Sequence, residues 1–329
     1  MEHRMRERLS RRSLLAATAA PLAAPAWAQG GWPDRPIRFV VPFAPGGTTD
    51  ILARVLAPRL SAGLGVSVVV ENRGGAGGTV GQEVVARSAP DGNTLMLGHI
   101  GTLGVNPSLY PRLSFDPIGS VAPVSMVALV PNILAVHPAV PARSLQELIA
   151  LARAKPGELT YGSAGNGSAA HIAGAALAHA AGVEFTHVPY RGTGPMANDL
   201  IAGSISFTMS GGTVLMPLLR DNRLRALGVS SRQRMAADPS IPTIAEQGLP
   251  GFETTQWYCV VTTAGTPAPV VARLNAEVHR AMNDAEVRQR LANEGAEAAP
   301  GTPEELGGFI RAEVARWAEV VRRTGMRAD

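Results

Sequence analysis

Apolar positions along the chain switch between two periods. Ile37, Phe39, Val40 and Val41 form a short β-branched and aromatic run. Ile51, Leu52, Val55, Leu56 and Leu60 then recur at helical spacing. Between the two lie Pro42-Phe43-Ala44-Pro45-Gly46-Gly47, followed by Thr48, Thr49 and Asp50. The pattern predicts a strand that turns through glycines into a helix beginning at the two threonines and Asp50. Pro58 is expected to kink that helix or end it early.

The alternation continues. Strand "VSVVVEN" leads through "RGGAGGTVG" to a helix, and strand "TLMLGHIG" is followed by a proline-punctuated connection that ends in a strand. "NILAVHP", "ELTYGSAG", "FTHVPY", "SISFTMSG" and "LRALGVSS" read as strands with helices between them, and "TIAEQGLPGF" as a short helix and turn. Strands alternating with helices predict an α/β fold, each sheet mostly parallel and flanked by helices on both faces. The pattern restarts after about Pro131, which predicts two lobes: residues 29–131 with 251–329, and residues 132–250.

The first 28 residues stand apart. Arg4, Arg6, Arg8, Arg11 and Arg12 precede an apolar run ending in Ala26-Trp27-Ala28, a small-x-small cleavage pattern, so an export signal over 1–28 is expected, with a mature chain from Gln29 in the periplasm. "SRRSLLA" fits a twin-arginine signal as well as an ordinary Sec signal. The net charge is +4, of which the leader supplies +3. The remainder has no basic patch with interleaved aromatics, which argues against nucleic acid. Cys259 is the single cysteine and lies in an apolar run, so it reads as a buried residue and not a nucleophile.

Motifs for chemistry are missing. "GAGGTV" puts Val80 where a dinucleotide fingerprint needs its last glycine, and no Gly-Lys-Ser/Thr sequence exists. Ser163 and Ser168 lack the glycine two positions earlier that a nucleophile elbow requires. The seven histidines show no zinc spacing. The expectation is no catalytic residue, no metal and no cofactor.

Two loops can meet an anion, because a helix start offers free backbone N–H groups and positive dipole charge. One is Phe43 to Asp50. The other is Tyr161 to His171, with Ser163, Asn166 and Ser168 as polar residues and Ser168 as a natural N-cap. Either loop alone reads as a tight turn and a cap; one in each lobe suggests a facing pair. Asp50 either complements the helix dipole or meets a water or an amino group. His171 either reaches back to its loop or packs. Arg191, after Tyr190 and before Gly192, is either a carboxylate partner or a surface arginine. Trp257 and Tyr258 either line the cleft or the hinge or pack in the core.

"IRFVVPFAPGGTTDILAR", "VVVENRGGAGGTVGQEVVARSAPDGNTLMLG", "LTYGSAGNGSAAHIAG", "HVPYRGTGPMANDLIAG" and "WYCVVTTAGTP" together resemble the tripartite tricarboxylate transporter substrate-binding proteins, also called the Bug family. The resemblance runs from about Trp32 to Trp317. It implies a two-lobed periplasmic binding protein of the second structural type, closing on a small carboxylate and delivering it to membrane transporter subunits. A sensor subunit and, further off, an exported enzyme on the same scaffold are the alternatives; a monomer is expected. Carried over, the carboxylate grip falls on Phe43, Ala44, Gly46, Gly47 and Thr48, then Ser163, Ala164, Asn166, Gly167 and Ser168. His171, Tyr190, Arg191 and Gly192 match positions near the cleft. Two departures, Ser206 in "GSISFTM" and His99 in "GHIGT", fall on the ligand-specific side.

Overall fold

The computed structural model describes residues 31–110, 112–324 and 326; the export signal expected at 1–28 lies outside them. β1 (Ile37–Val41) runs into α1 (Thr48–Leu64), β2 (Val68–Asn72), α2 (Thr79–Ala86) and β3 (Thr94–His99). A π-helical turn, Ile100–Val105, and the four-residue α3 (Asn106–Leu109) lead to the long β4 (Val121–Val130). Next come β5 (Asn132–Val136), α4 (Leu145–Ala154), β6 (Thr160–Ser163), α5 (Ala169–Ala181), β7 (Thr186–Pro189), α6 (Thr193–Ile201), β8 (Phe207–Gly211), α7 (Gly212–Arg220) and β9 (Arg225–Val229). β10 (Gln256–Thr263), α8 (Ala268–Asn283), α9 (Ala285–Asn293), β11 (Glu297–Ala298) and α10 (Pro303–Thr324) complete the described chain.

The strands form two sheets. One has the order β11-β4-β10-β3-β1-β2, the other β7-β6-β8-β5-β9. Only Pro131 separates β4 in the first sheet from β5 in the second. The chain returns through residues 230–255 into β10. The two passages lie side by side: Asn132 N donates to Ser230 Oγ at 2.9 Å, Ser230 N to Asn132 O at 2.8 Å, and Thr254 N to Ser230 O at 3.2 Å.

The sheets are mixed, which corrects the expectation of mostly parallel ones. β1 pairs parallel with β2 and β3, and β6 with β7 and β8. β10 is antiparallel to both β3 and β4, and β5 to both β8 and β9. Local alternation implies crossover helices, and those enforce parallel pairing. The strands that carry the chain between lobes have no such helix, so they insert in the opposite sense.

β10 is buried throughout and shows why its sequence is so continuously apolar. Tyr258 and Val260 face the core that holds Phe39, Leu52, Leu56 and Leu60. Trp257, Cys259 and Val261 face the opposite core with Met96 and Trp317. Both indole N–H groups, of Trp257 and Trp317, donate to Glu313 Oε2 at 2.8 and 2.9 Å. Cys259 is free and fully buried, and burial pushes its thiol pKa up.

α1 buries the stripe expected of it and ends at Gly65 in the left-handed conformation. Pro58 does not end it. The Pro58 ring is exposed, so the carbonyl it leaves without a donor, that of exposed Arg54, lies on the solvent side of the helix. The segment expected as a short helix at "TIAEQGLPGF" is a set of turns, tied to β9 by a bridge between Thr243 and Val229.

Candidate ligand-binding site

Several strand-to-helix turns of the two lobes converge on one small cavity of about 40 Å³. Its lining from the first lobe is Phe43, Gly47, Thr48, Thr49, His99, Gln256 and Tyr258. From the second lobe come Ala164, Ser168, Ala169, Ala170, Thr193 and Ser210. Most of these lie at or just past the carboxyl end of a strand: β1 for Gly47, β3 for His99, β6 for Ala164, β8 for Ser210. That edge is where open α/β sheets bind ligands. No Asp, Glu, Lys or Arg lines the cavity.

The starts of α1, α5 and α6 all reach the lining, and α7 begins two residues after Ser210. No side chain caps α1 at Gly47 or α6 at Gly192. The first N–H groups of such helices have no acceptor within the helix, so they present donors and a positive dipole end. α5 is capped by Ser168, whose Oγ accepts from His171 N at 3.4 Å.

The lobes meet around this point. Thr48 and Thr213 share a hydroxyl hydrogen bond of 2.6 Å. Tyr110 Oη donates to Asn166 O at 3.4 Å. Gly192, at φ +124°, lies so close to Ala44 that an added Cβ would stand 2.8 Å from that methyl. At Gly47 an added Cβ would stand 3.0 Å from Thr193 Oγ1 of the opposite lobe.

The residues expected from the sequence divide into two groups. Phe43, Gly47, Thr48, Ala164 and Ser168 line the cavity, and Ala44 and Gly192 form a lobe-to-lobe contact. The others point elsewhere. Asp50 is 4% exposed and accepts from Gly46 N at 3.0 Å, Arg54 Nε at 2.9 Å and Asn72 Nδ2 at 2.9 Å, so its carboxylate braces its own loop. Burial alone would raise its pKa; the bonds from Arg54, Gly46 and Asn72 outweigh that and hold it below the usual carboxylate range.

In the second loop, Ser163 Oγ lies 2.7 Å from His187 Nε2 and receives Gly165 N at 3.1 Å. His171 Nδ1 accepts from Gly167 N at 3.1 Å, and its ring stacks on His187 with centroids 4.2 Å apart. Tyr190 Oη donates to Asp199 Oδ2 at 2.7 Å; burial first, then that carboxylate, pushes the phenol up to about 12. Arg191 is exposed and outside the lining.

Sequence reasoning named the loops that hold Thr49, Ala169 and Ala170 without naming those residues for the site, and did not reach Thr193, Ser210 or Gln256. Ser210 and Thr193 carry a signal that could have found them, since each stands at a strand-to-helix turn. Tyr258 resolves towards the cavity and Trp257 towards the core, as alternation along β10 requires.

His99 is 3% exposed. It stacks on Phe43, centroids 4.6 Å apart, and meets Tyr258 edge-on at 5.9 Å. His99 Nδ1 accepts from Gly101 N at 2.5 Å and Thr102 N at 3.3 Å. Burial drops its pKa to about 4, so the imidazole is neutral at physiological pH. Among the described residues, no group of three or more His, Cys, Asp or Glu could hold a metal, and no helix is long and apolar enough to cross a membrane.

Two lobes, two passages between them and a cleft onto which helix starts open define a solute-binding protein. Residues 52–326 match the profile of the tripartite tricarboxylate transporter family receptor, and the chain belongs to that family. It is 38% identical to protein BugT of Bordetella pertussis over 311 residues, covering 94% of each chain. A structure of an R. palustris protein with adipate superposes with a TM-score of 0.87 at 38% identity, covering 90% of this chain and 99% of that one. MatC of Rhodopseudomonas palustris with bound malate gives 0.83 at 35% identity, covering 88% and 99%.

Proposed function

We propose that the protein is a periplasmic receptor that captures a small carboxylate between its lobes and delivers it to membrane subunits of a tripartite tricarboxylate-type transporter. The ligand leaves unchanged, and the receptor works as a monomer. One observation carries this reading: helix starts from both lobes reach a single cavity whose lining holds no charged side chain. An anion there gains N–H donors and dipole attraction without meeting a fixed opposite charge. The adipate and malate found in related structures are ligands of this class.

In this reading Gly47, Thr48, Thr49, Ser168, Ala169 and Ala170 hold the carboxylate. Ser163, His171 and Asp50 shape the loops that present those residues. The passages at Pro131 and Thr254 form the hinge. The test is a thermal-shift and calorimetric screen of the purified protein against short mono- and dicarboxylates. A ligand at a hundred times its Kd should stabilise the fold by ~2.7 kcal/mol. No stabilisation by any carboxylate, with binding of an amine or a sugar instead, would sink the proposal.

A further inference from the structure

We infer that His99 is a specificity-determining residue: its neutral ring donates from Nε2 to a second oxygen-bearing group of the ligand, beyond the carboxylate at the helix starts. The inference rests on the carboxylate reading above and deepens it.

Three observations meet here. First, the bonding assigns the tautomer. Nδ1 accepts from two backbone N–H groups, of Gly101 and Thr102, so it carries no proton, and the neutral ring must carry its proton on Nε2. Second, Nε2 finds no acceptor among the described residues, yet the ring is almost fully buried and borders the cavity. Nε2 is not among the sealed-off polar atoms that lack a partner, so it opens on the cavity; once a ligand displaces water there an unpaired donor is costly, and a ligand that supplies an acceptor is favoured over one that does not. Third, the ring cannot easily turn away. Phe43 covers one face, Tyr258 meets it edge-on, and the two backbone donors clamp Nδ1.

The chemistry that follows is selection by a missing partner. A diacid or hydroxy acid places an oxygen where Nε2–H can donate. A monoacid of the same length places a methyl group there and leaves the donor unpaired. Sites built on a buried hydrogen bond reject the analogue lacking it far more strongly than apolar pockets reject an extra methylene. Because the ring is neutral, the preference needs no charge on the second group: a hydroxyl or keto oxygen serves as well as a carboxylate.

The test titrates matched pairs by calorimetry: succinate against butyrate, glutarate against pentanoate, adipate against hexanoate. The wild-type protein should prefer the diacid of at least one pair by about tenfold or more. His99→Asn keeps an acceptor for Gly101 and Thr102 N–H but puts no donor at the Nε2 position. In that variant the preference should shrink to about twofold or less.

A nitrogen-15 spectrum of the wild-type imidazole gives a readout that does not depend on the variant folding. It should show the Nε2–H tautomer from pH 6 to 8, with the Nε2 signal moving on addition of the diacid and not of the monoacid. An unchanged diacid preference in His99→Asn, or an Nδ1–H tautomer, overturns the role of His99 and leaves the carboxylate reading standing. If no acid of any pair binds the wild type, both fall together.

Discussion

The two loops that meet at the cavity solve one problem in opposite ways. In the first lobe, the loop from Phe43 to Asp50 ends in an uncapped helix and shows its side chains to the cavity: Phe43, Thr48 and Thr49, with His99 and Tyr258 behind them. In the second lobe, the loop from Tyr161 to His171 turns its polar side chains inward. Ser163 is tied to His187, His171 to Gly167 N, and Ser168 caps its own helix. The cavity receives mainly small surfaces from that side, Ala164, Ala169 and Ala170. One lobe thus carries the side-chain chemistry that can differ between ligands. The other is a braced wall that adds alanine methyls and the small hydroxyls of Ser168, Thr193 and Ser210.

Gly47→Val should break this arrangement most severely. Gly47 has φ −86° and ψ 169°, a conformation any residue adopts, so the fold should melt within a few degrees of wild type. The side chain would instead meet Thr193 of the opposite lobe, where an added Cβ already stands 3.0 Å from Oγ1, and would hold the lobes apart. Carboxylate affinity should fall on the order of a thousandfold, ~4 kcal/mol. Calorimetry paired with a thermal melt separates the two effects. Full-strength binding would mean that the first loop is only a turn.

The next effect is on stability and comes from His99. The unfolded imidazole takes up a proton near pH 6.5, whereas the folded one resists until about 4, because burial disfavours the charged ring. Between those values the unfolded chain binds more protons. Stability is therefore intact above about pH 6.5 and lost as pH falls towards 4, by ~3 kcal/mol at ~1.4 kcal/mol per unit. Denaturant midpoints across that range should show the loss, and His99→Asn should flatten it. Asp50 adds a smaller loss at lower pH. Its depressed pKa contributes stability above the usual value of 3.8, lost as pH falls below it. Asp50→Asn keeps one oxygen where Gly46 N and Asn72 Nδ2 now have one each, so it should cost ~1–3 kcal/mol, mostly by leaving one of those donors unpaired, since Arg54 is half exposed and its pair is screened.

What the sequence revealed followed from what is local. The strand, turn and helix from Ile37 to Leu60 were legible because their pattern is contiguous, and the family because its motifs lie in order along nearly the whole chain. Sheet direction was not, since β10 reaches its partners from more than a hundred residues away and carries no mark of its sense. The cavity lining was half legible for a related reason. Gly47 and Ser168 announce themselves as turn and cap. Gln256 looks like an ordinary strand residue until the two lobes come together. The inward turn of Ser163 and His171 depends on His187, whose own place is set by pairing between β6 and β7. No spacing rule encodes that.

The smallest effects sharpen the comparison on its braced side. Ser168→Ala removes a cap whose bond is already long at 3.4 Å, so ~1 kcal/mol of stability is the most it should cost. Affinity should fall by severalfold as well, because Ser168 is among the residues that hold the carboxylate. Arg191→Ala should do less still. A guanidinium that formed a buried pair with the carboxylate would cost several kcal/mol on removal. Arg191 is exposed, lies outside the cavity lining, and follows a loop whose polar neighbour Tyr190 is committed to Asp199. Its charge therefore acts through water at a distance that salt screens. Calorimetry in low salt should show a change of about twofold, vanishing near 0.5 M salt, where the Debye length is only a few ångströms. A loss that persists in high salt would place Arg191 on the ligand. The second lobe would then supply a charge, and not only a wall.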